Sequence, residues 1–224
     1  MKIDWATVSS LATAGGTLVL AVATFYSVRS SNRAARSAER ALQAGLRPVL
    51  FPSRSQDDVQ KIHWADDHWA VVAGGRAVLD VADGIVYMAM SIRNVGSGIG
   101  VLMGWRVAPT PERPAPTSSP QQMRSALTRP DPKDFNQQSV DIYVPPGSAG
   151  YWLAALRDCE DAFREQIIAI IQARESLTID LMYGDQEGGQ RTISRFVVNQ
   201  HPSSDSEWII GVVRHWFLDR PGPR

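Results

Sequence analysis

Four side chains within six positions, His63, Asp66, Asp67 and His68, have the types that bind a divalent cation. Two imidazoles and two carboxylates supply the nitrogen and oxygen donors that zinc and its neighbours take. A water activated on such a metal would make the protein a hydrolytic enzyme. The competing reading is an ordinary hairpin. Ala65-Asp66-Asp67 reads as a turn between two strands, Trp64 and Trp69 flank it, and the spacing lacks the tighter pattern or third strong ligand of a zinc site. Asp180, Asp185 and Glu187 offer a second set, as paired carboxylates beside a groove. Asp180 falls on a strand and the other two at its tip, which favours turn chemistry. Arg214-His215 is a candidate anion contact. No Ser lies in a G-x-S-x-G elbow. Cys159 sits among Asp158, Glu160 and Asp161, whose charge raises a thiol pKa and opposes reactivity. The glycines of Asn94-Val95-Gly96-Ser97-Gly98-Ile99-Gly100 lack the Lys of a phosphate loop and lead into a strand. These residues assign no catalytic group and no cofactor.

The elements that position them read as strands. Pro48–Phe51, Val59–Trp64, His68–Ala73, Ala77–Val81, Ile85–Arg93 and Val101–Val107 come first, punctuated by Asp-, Gly- and Asn-rich turns. In Ile85–Arg93, Val86, Met88, Met90 and Ile92 alternate with Tyr87, Ala89 and Ser91, the period of a strand. Residues 109–133 carry seven of the fourteen prolines and read as a disordered loop, with a helical turn near Gln121–Leu127. Ser139–Val144 and Gly150–Ala155 follow as strands. Asp158–Glu175 reads as the one helix of this region, with Ala162, Phe163, Gln166, Ile167, Ile170 and Ile171 as its apolar stripe. Leu177–Tyr183 and Gln190–Asn199 form a hairpin. Trp208–Leu218 is ambiguous: Ser204 and Glu207 suggest a helix cap, whereas the run IIGVVRHWFL and an available partner at Phe196–Val198 favour a strand.

The Asn94-Val95-Gly96-Ser97-Gly98 turn after an alternating strand, and the late hairpin from Leu181-Met182-Tyr183-Gly184-Asp185 to Arg191-Thr192-Ile193, are similar to features of membrane-anchored bacterial β-sandwich domains. Together with an apolar N-terminal stretch, an Arg/Ala helix and Arg47-Pro48, the chain resembles small actinobacterial single-span membrane proteins of unknown function. The resemblance implies an immunoglobulin-like β-sandwich with one inserted helix, and no catalytic residue.

That apolar stretch is Trp5–Val28, 24 residues without a charge. As a helix it is roughly 36 Å long, enough to cross about 30 Å of hydrocarbon. Trp5 at one end and Phe25 and Tyr26 at the other suit the lipid–water interface, with Arg29 and Arg33 just beyond. A cleaved signal peptide is the alternative, since Ala21-Val22-Ala23 fits a cleavage pattern, but Asp4 and the run past that site argue against it. A buried core helix is a further alternative. Lys2 precedes the stretch while Arg29, Arg33, Arg36 and Arg40 follow it, which by the positive-inside rule leaves the C-terminal part in the cytoplasm. Arg29, Arg33, Arg36, Arg40 and Arg47 share a sector of about 60° if the helix continues. Ala34, Ala35, Ala38, Ala41 and Leu42 occupy the other side, and Gly45 and Pro48 supply the stop. Ala12-x-x-x-Gly16 is a small-residue pair that could support association with a second copy.

With 23 basic and 23 acidic residues the chain is neutral, which argues against nucleic acid as a partner. One cysteine permits no intrachain disulfide. The seven Trp read mainly as core. The expected organisation is a tail and transmembrane helix over 1–28, a juxtamembrane helix over 29–47, a soluble β domain over 48–220 and a short tail. The expected role is a non-enzymatic binding or scaffolding module at the cell membrane. Its partners are then the lipid bilayer and a protein or a second copy. A metal-dependent hydrolase and an extracytoplasmic envelope protein are the alternatives.

Overall fold

Helical and strand periodicities divide the chain, and the computed structural model follows that division, with one unit over Met1–Gly45 and another over Leu46–Arg224. The structure describes residues 5–110, 128–158, 160, 162–201 and 207–219; in the first helix the side chains of 5–8, 10–12, 40, 43 and 44 are left out. Cys159, Asp161, Ser204, most of the Pro-rich stretch with its helical turn, and the last residues of the chain lie outside the described ones.

The first unit is one helix, α1 (Trp5–Gly45), continuous through the apolar stretch and the Arg/Ala segment. Its hydroxyls bond back along the helix: Thr13, Thr17 and Thr24 donate to the carbonyls of Ser9, Thr13 and Leu20 at 2.9, 2.8 and 2.7 Å. Among the described residues no helix is long and apolar enough to cross a membrane. The undescribed side chains of 5–8 and 10–12 belong to the first half of the uncharged stretch.

The second unit is mainly β. Its strands are β1 (Leu50–Pro52), β2 (Gln60–His63), β3 (Trp69–Val72), β4 (Arg76–Ala82), β5 (Ile85–Asn94), β6 (Gly100–Pro109), β7 (Asn136–Val144), β8 (Ala149–Leu156), β9 (Leu177–Gly184), β10 (Thr192–Gln200) and β11 (Trp208–Phe217). A single helix, α2 (Ala162–Gln172), lies between β8 and β9. β5 is the hub. It pairs with β4 and then β1 along one edge and with β8 along the other, all antiparallel. From β4 the ladder passes to β11, β10, β9, β6 and β7. A sandwich of separate sheets is therefore not what forms. All nine strands join one curled sheet, because β4 and β11 are bridged at Ala77↔Trp208 and Arg76↔Ile209. Hairpin β2–β3 stands apart as a second layer.

Strand alternation explains both cores. Val86, Met88, Met90 and Ile92 face the interior of the curl with Trp105, Trp152, Ile179, Leu181, Phe196 and Val198. Tyr87 and Ala89 face outward and are covered by Ile62, Trp64 and Val72 of the hairpin. Ile167 and Ile170 of α2 join the inner core. β11 is the strand that its sequence favours, with Phe196 opposite Val212 and Val198 opposite Ile210. One assignment moves: Arg47 does not continue the arginine face of α1, which ends at Gly45. It is buried, donates to Asp219 at 3.0 Å and lies 4.5 Å over the Phe217 ring.

The glycine-rich turn after β5 is structural. Asn94 is fully buried, and its side chain accepts from Val49 N and Gly96 N and donates to the carbonyls of Gly98 and Val144. A Cβ on Gly98 would stand 1.7 Å from the Leu46 carbonyl oxygen, and one on Gly96 2.2 Å from that of Arg47. Replacing Asn94 by Ala strips partners from several buried main-chain groups, so urea unfolding is expected to show a loss of about 3 kcal/mol. Gly98→Ala is expected to cost a similar amount. Val95→Ala, at an exposed position in the same turn, should change little.

Candidate functional site

The turn between β2 and β3 brings His63, Asp66, Asp67 and His68 close in sequence and then parts them. Asp67 takes a positive φ of 59°, which closes the turn and swings its carboxylate toward the exposed side. There it meets His63 Nε2 at 3.1 Å, and the His63 ring stacks on Trp69 at 4.0 Å. His68 points elsewhere. Its Nε2 lies 3.2 Å from Asp80 of β4, and its ring stacks on Tyr87 at 3.8 Å. Asp66 accepts from the Tyr87 hydroxyl at 2.8 Å and from Arg157 Nε and Nη2 at 3.2 and 3.1 Å. The four candidate ligands are thus divided among three separate pairings. Among the described residues no three His, Cys, Asp or Glu side chains converge on a metal position. The Tyr87 hydrogen bond, then its own main-chain N–H, then the Arg157 contact, hold the Asp66 carboxyl below its ordinary pKa against the opposing effect of burial; the Tyr87 bond raises Tyr87. The group fastens the hairpin to the outer face of β5. Excess Zn2+ or a chelator is accordingly expected to leave the thermal midpoint of the full chain unchanged.

The other candidates also resolve into local structure. Asp185 accepts from the main-chain N–H of Gly189 at 2.7 Å and of Glu187 at 3.2 Å, which is turn chemistry. Asp180 is fully buried beneath Arg195, bonded at 2.7 and 2.9 Å, and Arg106 at 3.1 Å. Arg195 in turn lies 5.1 Å from the centre of the Trp216 ring. Arg214 and His215, adjacent on a strand, diverge: Arg214 lies over Trp216, whereas His215 Nδ1 meets Ser194 Oγ at 2.6 Å. They do not share an anion.

Ser194 and His215 form a pair that sequence spacing did not reveal, because they meet only across the β10–β11 register. Tyr183 OH lies 2.7 Å from Ser194 Oγ and accepts from the Leu50 N–H at 3.0 Å. The chemistry resembles a nucleophile and its base, but Ser194 and Tyr183 are fully buried and His215 Nε2 is buried with no partner. The arrangement is a polar link between β9, β10 and β11, with both hydroxyls buried. Burial pushes Tyr183 up to about 12 and His215 below its ordinary 6.5. The unfolded chain therefore binds a proton at His215 more readily than the folded one. This group's contribution to stability is complete above pH 6.5 and is lost as pH falls through 6.5 toward the lower folded value. The urea midpoint is expected to drop between neutral pH and pH 5, and His215→Phe is expected to flatten that part of the profile.

A concavity beside these groups begins at the hairpin turn. It is a cleft of about 940 Å³ running between β7 and β8, lined by Gln138, Val140, Tyr143, Tyr151, Leu153 and Arg157 among others. Asp66 and Arg157 form one end of it. Gln138 and Arg157 carried no signal in the sequence beyond a polar residue near a strand.

No family model matches the chain, and no curated protein does. Among solved structures it is similar to a protein from Archaeoglobus fulgidus, at 14% identity over 63% of this chain and 93% of that one, with a TM-score of 0.25. A score so low does not establish a shared fold.

Proposed function

We propose that the protein is a single-pass membrane-anchored binding module, which holds its β domain at the cytoplasmic face of the cell membrane and acts without catalysis of its own. The observation that carries this reading is the exposure of the apolar side chains of α1. Leu18, Val19 and Leu20 are 66, 69 and 70% exposed, and Phe25, Tyr26 and Val28 are also more than half exposed. Consecutive residues turn by about 100°, so these three point in three directions and a partner docked on one face covers only part of them. Lipid covers all sides at once. Each large apolar side chain left in water forgoes roughly 2 kcal/mol. The uncharged run of 24 residues has the length for the task. Phe25 and Tyr26, packed edge-on at 6.1 Å, stand just before Arg29 and Arg33, the order of an aromatic belt followed by cations at the headgroups. The cation count on either side of the run favours a cytoplasmic domain. The β domain supports a binding role through its open cleft.

Cell fractionation tests the anchor. The full chain is expected in the membrane pellet, resistant to alkaline wash, and a deletion of residues 5–28 in the soluble fraction. Protease added to spheroplasts should leave the domain intact. Digestion from outside would place it beyond the membrane instead, and a full chain in the soluble fraction would remove the anchor.

A further inference from the structure

The curled sheet does not close. β7 and β8, like the three-residue β1, are edge strands, each hydrogen-bonded to a strand on one side only among the described residues. They are joined by the corner Pro145–Ser148, which Asn94 holds through its main chain: Gly147 N donates to Asn94 O at 2.8 Å and Asn94 N to Ser148 O at 3.1 Å. From that corner the cleft opens between the two edges. β7 also leaves its partner. Its register with β6 passes from Leu102↔Ile142 to Gly104↔Gln137, so residues 138–141 stand opposite Met103 alone.

Gln138 bridges the gap. Its side chain is 8% exposed, lines the cleft and donates from Nε2 to the Leu153 carbonyl of β8 at 3.3 Å. Its Oε1 is buried and has no partner among the described residues. A side-chain amide thus stands where a strand would place a peptide group, with its donor side used and its acceptor side unused among the described residues. Burying such an acceptor without a donor is costly, which marks this stretch of the seam as incompletely satisfied.

We infer that the seam between β7 and β8 binds an extended segment of a partner protein by strand addition. This rests on the reading of the domain as a binding module. Two strand edges and a bulged stretch of main chain present repeating donors and acceptors, which an extended polypeptide matches. Tyr151, Leu153 and Ala155 alternate along β8, are half-buried, and line the cleft, so they can receive alternate apolar side chains of the incoming strand. Val140 and Tyr143 are exposed on the β7 side. Asp66 and Asp141 against Arg157 leave the cleft with one net negative charge, which favours a basic residue in the segment. Unlike many edge strands, β7 carries no Lys or Pro to discourage pairing.

The test pans a displayed library of random nine-residue peptides against the full chain in lipid nanodiscs. Hydrogen exchange is then followed with the enriched peptides. The expected result is peptides with alternating apolar positions and a basic residue, which slow exchange at residues 138–142 and 151–155. Val140→Pro, which removes an edge N–H at an exposed site, should weaken them about tenfold or more, equivalent to one or two main-chain hydrogen bonds. The protection pattern in the unsubstituted protein decides the matter if that variant folds poorly. Failure to enrich any peptide overturns the seam. So does protection confined to another surface, such as exposed Trp69 and Val71, although that outcome leaves the binding-module reading standing. Protection of 138–142 that rises with protein concentration in the absence of peptide makes a second copy the occupant, and also overturns a separate partner.

Discussion

The Asn94 side-chain amide is the interaction on which most of the domain depends. It is fully buried at the end of β5, the strand that pairs with three others. Both of its amide atoms are used twice, on the main chain of β1's approach, of the glycine turn and of the end of β7. Its own peptide groups hold the corner between β7 and β8. Gly96 and Gly98 make room for this, since any side chain there would collide with the backbone of Leu46–Val49. One residue therefore ties together the start of the domain, the hub strand and the corner from which the unclosed seam opens.

Elsewhere, polar groups are held in sets. Asp180, fully buried, is neutralised by Arg195 and Arg106, Ser194 is held between Tyr183 and His215, and at the partly exposed hairpin turn Asp66 is paired with Arg157 and Tyr87. Taking a charge such as that of Asp180 out of water is tolerable only with such partners. Most of the titratable residues that looked chemical are therefore occupied in holding layers together: the hairpin on β5, and neighbouring strands on one another. Gln138 Oε1 and His215 Nε2 are exceptions, both buried without a hydrogen-bond partner among the described residues.

Helix α1 obeys other rules. Thr13, Thr17 and Thr24 have their hydroxyls satisfied by the helix's own carbonyls. Its large side chains are bare on all sides. That combination suits a medium that supplies no hydrogen bonds. Beyond it, Arg29, Arg33 and Arg36 are exposed and charged, and the helix ends at Gly45.

Strand identity was legible in the sequence because side-chain alternation is a local property. The two faces of β5 follow from spacing alone. So do the long N-terminal helix, its uncharged run and its stop. Trp208–Phe217, by contrast, is ambiguous by spacing and reads as a strand because Phe196–Val198 offers a partner. What tertiary structure decided was partnership. Spacing placed Arg47 on the arginine face, but the helix ended first and Asp219, distant in sequence, took it. Spacing grouped His63, Asp66, Asp67 and His68, but Asp80, Tyr87 and Arg157 separated them. The continuity of the sheet rests on two residue pairs between β4 and β11, and its opening on the failure of β7 and β8 to pair. The physical reason is the range of the forces involved. Periodicity is written residue by residue, whereas the partner of a buried charge or amide is set by the register of strands that meet only after the chain has folded.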